Sequence, residues 1–368
     1  MSAAESGVPG NAAAGIRRNN FDLIRLAAAA QVMLVHLGDK LFHHQHAIIH
    51  LLRVFPGVPV FFLISGFLIS ASWERNSDWR VYARSRFLRI MPGYWAVFLF
   101  SLAAIVFGSG IDLLAHLRDL LLWIAAQLVF LSDWNPAFLR GYGTGVVNGS
   151  LWTIPVELTF YLAIPPLYWL IARTGRANRI LVAAIVLSFG FEYLIIALAP
   201  YLPPLVVKGL ALSPFPAFSM FACGVLAQRN WARLHPLVTG RLWLFAVIYL
   251  AIGVPTLLLP GNRIFFGMSH VIGIFNFAAL ALLVLSAAYT APGLASRLLR
   301  RNDISYGLYL YHLPIANLLL AYGLSGSRAY ALAVTGALAV AMLSWFALEK
   351  PALRARRWAF YRRAAMDA

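Results

Sequence analysis

The sequence is poor in charge, poorer in acid and almost without cysteine. Only 12% of its 368 residues are charged, about half the share of an ordinary soluble domain. Asp and Glu together number 13, too few for a carboxylate-rich metal cage. The single cysteine, Cys223, excludes a disulfide framework and any multi-cysteine metal site. A Walker-type phosphate loop, a His-Glu-x-x-His helix and a Gly-x-Ser-x-Gly nucleophile elbow are all missing.

What fills the chain is apolar: 61% of residues are hydrophobic, more than a soluble protein can bury. Ten apolar stretches, near 21–38, 55–73, 92–108, 151–172, 180–199, 210–228, 242–260, 270–290, 304–323 and 329–348, predict an all-α integral membrane protein. The net charge of +17 reports topology rather than nucleic-acid binding. Of 30 Lys and Arg, 22 fall in six clusters: Arg17/Arg18, Arg75 to Arg89, Arg173 to Arg179, Arg229 to Arg241, Arg297 to Arg301 and Lys350 to Arg363. With Arg17/Arg18 in the cytoplasm, every other cluster follows an even number of crossings, as the positive-inside rule requires. Both termini are then cytoplasmic, with anionic membrane lipids as contacts. The short apolar segment Leu120–Leu131 breaks this alternation if it crosses, so it is read as re-entrant or interfacial within an outer loop 109–150. Residues 1–18 predict a disordered tail, 19–352 the transmembrane domain and 353–368 a basic cytoplasmic tail. The first span could pass for a signal peptide, but Asp22, Arg25 and His36 lie within it and a small-residue cleavage site is lacking.

Ionisable groups inside a span cost several kcal/mol unless paired or hydrated, so each is a functional candidate. Arg25 and His36 are eleven residues apart, which returns to within roughly 20° of the same helix face at a separation of about 16 Å. Taken singly, they could equally be a snorkelling arginine and a helix-bridging histidine. Glu157 falls in Ser150-Leu151-Trp152-Thr153-Ile154-Pro155-Val156-Glu157, at a predicted depth close to that of His36. A carboxylate there would fix the imidazole tautomer and raise its basicity. Glu192, in the fifth span, has no matching motif and reads as a packing residue.

Arg86 and Arg89 share a face at the cytoplasmic mouth, where guanidiniums suit a phosphorylated ligand or lipid headgroups. Tyr306, Tyr309 and His312 recur at intervals of three along one side of the ninth span, and Pro314 predicts a kink just beyond. Ser65-Gly66 reads as a small-residue site for close helix approach. His43, His44, His46 and His50 lie in a loop without a thiol partner, and no metal site is assigned there.

Taken together these elements resemble the membrane acyltransferase-3 family of bacterial multi-pass O-acyltransferases. The resemblance is carried by Arg25-x10-His36, Phe62–Ile69 with Ser65-Gly66-Phe67, and Arg86/Arg89 before Ile90-Met91-Pro92. It continues through Ser150-Leu151-Trp152…Glu157, Ser305-Tyr306…Tyr309…His312 and Glu349-Lys350-Pro351, from about residue 20 to 352. Pro155 departs from the Ser more common in the family. The resemblance implies a ten-span bundle using cytoplasmic acyl-CoA, commonly acetyl-CoA, as co-substrate, with no permanently bound cofactor. It implies that His36 supports acyl transfer, that Arg25 accompanies it, and that Arg86/Arg89 lie at the donor entrance. Glu157 is then the orienting group for His36, with Tyr309, His312 and Trp152 supporting substrate or transition state. The implied acceptor is a hydroxyl of a carbohydrate or glycolipid, such as exopolysaccharide, lipopolysaccharide or peptidoglycan. A transporter for a glycan or lipid-linked intermediate is the alternative, though the two halves show no repeat symmetry.

Overall fold

Backbone N–H and C=O groups cannot go unpaired in hydrocarbon, so a chain this apolar must fold as helices that satisfy their own hydrogen bonds. The computed structural model describes residues 18–42, 46–258 and 271–355, and within these it holds helices and no strand. The predicted tails fall almost wholly outside the described residues, as do His43 and His44. In chain order the helices are α1 (Phe21–Leu41), α2 (Ala47–Leu52), α3 (Gly57–Arg75), α4 (Trp79–Gly108), α5 (Leu117–Leu128), α6 (Thr153–Thr174), α7 (Ala177–Leu198) and α8 (Pro204–Ala211). They continue as α9 (Pro214–Arg229), α10 (Trp231–Val238), α11 (Leu242–Leu258), α12 (Val271–Thr290), α13 (Leu294–Leu299), α14 (Ser305–Ala321) and α15 (Gly326–Ser344).

Eight helical segments, containing α1, α3, α4, α6, α7, α9, α12 and α15, are long and apolar enough to cross a bilayer. α10 and α11 meet at an 89° bend and together make a ninth candidate. The 17 residues of α14 put it at the short end of the range. Every predicted apolar stretch therefore contains a helix, and among the described residues eight or nine candidates meet the length and composition of a crossing. The molecule is a multi-pass, all-α membrane protein.

In lipid, helices associate through close packing rather than the hydrophobic effect, so small residues set the contacts. α3 and α9 meet most closely: a Cβ on Gly66 would sit 2.0 Å from the Phe221 carbonyl oxygen, and one on Gly224 2.1 Å from that of Leu63. Around this crossing α7 packs on α9, α1 on α3, and α14 on α1, α4 and α15. Gln31 joins α1 to the start of α3, donating to the Leu52 carbonyl at 3.0 Å and accepting from Gly57 N–H at 2.9 Å.

The link between α4 and α6 enters the bundle twice. α5 runs back along α4, with Phe98 against Trp123 at 5.9 Å and the Tyr94 hydroxyl on the Gln127 carbonyl at 2.7 Å. Tyr94 lies midway along α4, and Phe138 returns to stack on His116 at 5.0 Å. The segment predicted as re-entrant or interfacial thus folds back along α4 to about its midpoint.

The chain then descends again without regular helix along α14. Asn317 accepts from Thr144 N–H at 2.8 Å and donates to the Val146 and Val147 carbonyls, both at 2.8 Å. Lower down, Asn148 donates to the Leu310 carbonyl at 2.9 Å. That carbonyl needs a partner because Pro314, four residues on, has no N–H to offer. The Tyr309 hydroxyl donates to the Ser150 carbonyl at 2.9 Å. α6 therefore begins well inside the bundle. Pro155 lies in its first turn, where a missing N–H leaves nothing unsatisfied.

Gly66→Ala forces the α3–α9 backbones apart and is expected to destabilise by about 3 kcal/mol, read as a lower Tm in detergent. Gly190→Ala on α7, whose Cβ meets open space, should leave Tm unchanged or slightly raised.

Candidate active site

One cavity of about 780 Å³, counted out to its open mouth, lies between α1, α3, α4, α6 and α14. That is a volume suited to a small-molecule ligand. Arg25, Arg86 and Arg89 line one end with Ser305 and Tyr306; Ser65, Glu157 and Tyr161 lie deeper, with Thr153 and Tyr309 beyond. Its lining carries three guanidiniums and one carboxylate, and the guanidinium of Arg86 is the one without an ion pair among the described residues.

The three arginines are held differently. Arg89 pairs with Asp303 at 2.6 Å. Burial pushes the Asp303 carboxyl up, but Arg89, Arg25 and the hydrogen bonds from Ser305 and Arg89 outweigh it and hold it below the usual carboxylate range. Asp303 also accepts from Ser305 N–H at 3.2 Å, so the anion sits at the positive start of α14. Asn302, next in the chain, receives Lys350 Nζ at 2.8 Å and Trp345 Nε1 at 3.1 Å, which ties this link to a π-helical turn, Trp345–Glu349, at the end of α15. Arg86 makes no ion pair among the described residues. Its guanidinium lies over the Tyr82 and Tyr161 rings, 5.7 Å from each centroid. Arg25 meets Asp22 at 3.5 Å, one turn earlier on its own helix.

Glu157 accepts from Ser65 Oγ at 2.8 Å and from the Tyr161 hydroxyl. It does not touch His36, contrary to the expectation that it orients that ring. The irregular descent explains the discrepancy. Thr153 is already level with Tyr309, 2.9 Å away, so Glu157 lies about 6 Å further toward the arginine end. His36 instead meets His312, about 4.5 Å from Tyr309 in the opposite direction.

The partner of His36 is thus a second histidine: His36 Nδ1 lies 3.0 Å from His312 Nε2. His312 is fully buried, and its Nδ1 lies 3.2 Å from the Leu308 carbonyl. The pair stands outside the cavity wall, behind Tyr309, whose ring is 6.1 Å from that of His312. Arg25 and His36 do share the predicted stripe, both facing α14. The Tyr309 hydroxyl is already engaged in this geometry: it donates to the Ser150 carbonyl and lies 2.9 Å from Thr153 Oγ1, whose hydroxyl also reaches the Ser150 carbonyl at 3.3 Å. Trp152 packs against the core just before α6 and does not line the cavity. Glu192 is buried, with neither carboxylate oxygen hydrogen-bonded among the described residues.

Sequence reasoning missed Ser65, Tyr161 and Asp303. Tyr161 was legible as the i+4 partner of Glu157 on one helix face, and Asp303 as a carboxylate just ahead of a helix. Ser65 was obscured by Gly66, whose packing role explained the pair.

The family described as an acyltransferase domain matches residues 18–350. The chain belongs to the acyltransferase-3 family. Nodulation protein 10 of Rhizobium leguminosarum bv. viciae is 35% identical, over 95% of this chain and 96% of its own. The exopolysaccharide production protein ExoZ of Rhizobium meliloti is 26% identical over 88% and 96%. The peptidoglycan O-acetyltransferase OatA of Listeria monocytogenes is 25% identical over 72% of this chain and 45% of its own. No solved structure matches the chain. This acyltransferase-3 protein is a membrane O-acyltransferase, which sets the transporter reading aside.

Asp303→Asn leaves Arg89 without its carboxylate and is expected to cost about 3 kcal/mol of stability at neutral pH. Because the folded carboxyl is held low, its stabilising effect is present above the unfolded value of about 4 and is lost as pH falls through the folded value. In thermal melts across pH, the wild type should exceed the variant from pH 7 down to about 4, and the gap should close below that.

Proposed function

We propose that the protein transfers an acyl group, acetyl in the first instance, from cytoplasmic acyl-CoA to a hydroxyl of a carbohydrate or glycolipid at the opposite face of a bacterial inner membrane. The topology proposed with it has ten crossings and both termini in the cytoplasm, which puts the arginine end of the cavity inside. The observation that carries the reading is the polarity of that cavity. Arginines at one end can bind phosphate oxygens of a CoA-like donor, Arg86 most freely because Arg89 already holds Asp303 and Arg25 meets Asp22. A pantetheine arm extended from there would bring its thioester toward Tyr309, beyond which stands the His36–His312 pair.

In the reaction, an acceptor hydroxyl gives its proton to His36 while its oxygen attacks the thioester carbonyl carbon. The C–S bond then breaks, and the departing CoA thiolate takes the proton back from His36. Ester and free thiol are the products, and no other reactant is needed. The acceptor class rests on relatives named for exopolysaccharide production and peptidoglycan O-acetylation.

The test is free CoA release from acetyl-CoA by protein in nanodiscs. Wild type is expected to show slow thioester hydrolysis without an acceptor, and His36→Ala to lose it by on the order of 10²-fold or more. Arg86→Ala should raise KM for acetyl-CoA about tenfold, the loss of one charged hydrogen bond, with kcat little changed. Wild-type turnover that survives His36→Ala would overturn the mechanism.

A further inference from the structure

We infer that His312 is a positioning residue that sets the tautomer of His36 and leaves His36 Nε2 as the open base. The argument is one of hydrogen-bond direction. The Leu308 carbonyl can only accept, so His312 Nδ1, 3.2 Å away, carries a proton. His312 is fully buried and no carboxylate contacts it among the described residues, so a second proton would place an unpaired cation inside the bundle. His312 is therefore neutral and its Nε2 has a lone pair. His36 Nδ1, 3.0 Å from that lone pair, must donate. A neutral imidazole with its proton on Nδ1 has a bare Nε2. The chain of direction runs Leu308 carbonyl, His312, His36, and ends in a lone pair.

Among the described residues nothing else competes for this role. The charges nearest His36 are Asp39 and Lys40 on its own helix and Arg53 between α2 and α3. Asp39 is engaged by Arg53, and the only hydrogen bond of the His36 ring among the described residues is to His312. Glu157, the carboxylate expected to orient the ring, is held by Ser65 and Tyr161 in the cavity. A histidine thus takes the place of the usual carboxylate behind a catalytic imidazole. Unlike a carboxylate, it fixes the proton without adding negative charge in the membrane.

The inference rests on the reading of His36 as the base of acyl transfer, and two measurements separate the two. The first needs no activity: ¹⁵N spectra of histidine-labelled protein in nanodiscs, with His36 assigned by difference against His36→Asn. The expected result is a protonated Nδ1 and an unprotonated Nε2 for His36. A His36 with its proton on Nε2 overturns the inference, whatever the protein catalyses. The second compares CoA release by two variants. His312→Phe keeps a ring and loses the acceptor, and is expected to lower kcat on the order of 10²-fold with KM for acetyl-CoA unchanged. His312→Gln offers a carbonyl oxygen to the His36 Nδ1 proton and should stay within about tenfold of wild type. A purely structural histidine predicts no better activity for Gln than for Phe, and that outcome would sink the proposal. If wild type releases no CoA while the spectra come out as expected, the transfer reading fails and the tautomer assignment stands.

Discussion

The site depends on how irregular backbone is satisfied inside the bundle. Eleven residues from Tyr142 to Trp152 pass through a region where an unpaired carbonyl or N–H costs several kcal/mol. Three side chains tie this passage to α14: Asn317 serves Thr144, Val146 and Val147, Asn148 serves Leu310, and Tyr309 serves Ser150. Two of the three belong to α14. The third answers a carbonyl that Pro314 leaves open on the same helix. α14 is thus the template on which the descending chain is laid, and the proline long associated with kinking is here the reason an asparagine can dock. Since Gly143 comes within 2.4 Å of Asn317 Oδ1 at the position a Cβ would take, the passage also admits only glycine there.

This descent sets the depth of everything that follows it in the chain. α6 starts level with Tyr309, so Thr153 and Glu157 enter the cavity rather than the space beside His36. The consequence is two polar centres instead of one. Glu157 with Ser65 and Tyr161 lies among the arginines, and His36 with His312 lies beyond the Tyr309 ring. Glu157, together with Asp303 on Arg89 and Asp22 on Arg25, tempers the positive potential that the three guanidiniums give the chamber. Arg89, neutralised by Asp303 and anchored through Asn302 to Lys350, acts as a fixed wall. Arg86, over two tyrosine rings and without an ion pair among the described residues, spends its Nε–H on Ser85 Oγ at 3.1 Å and carries its Nη donors outside any ion pair.

Much of this was legible in the residues. Apolar runs located the helices, and the Arg25–His36 spacing gave their common face. Gly66 announced a close contact, and Leu120–Leu131 announced a segment too short to cross. Span counting failed where it assumed regular helix. Distance from the end of an apolar run puts Glu157 level with His36 only if that run starts at the membrane surface. No periodicity reveals that residues 142–152 already descend into the bundle as a run of turns and bends. Partnerships between histidines were equally invisible, since His36 and His312 are 276 residues apart and the sequence says only that each faces inward.

The committed donors narrow the chemistry further. On the acyl-transfer reading, negative charge develops on the thioester oxygen near Tyr309, yet the Tyr309 proton belongs to Ser150 and the His312 Nδ1 proton to Leu308. Neither can turn to the oxyanion without stranding a buried carbonyl, which would forfeit part of what it gained. What remains nearby is the start of α6, a 22-residue helix whose first turn borders the cavity at Thr153 and Ile154. Its dipole places partial positive charge there in fixed form, in a low-dielectric site where such preorganisation counts most. The same buried descent that moved Glu157 away from His36 therefore brings a helix terminus to the place where charge would appear. A helix that began at the membrane surface could not have supplied it.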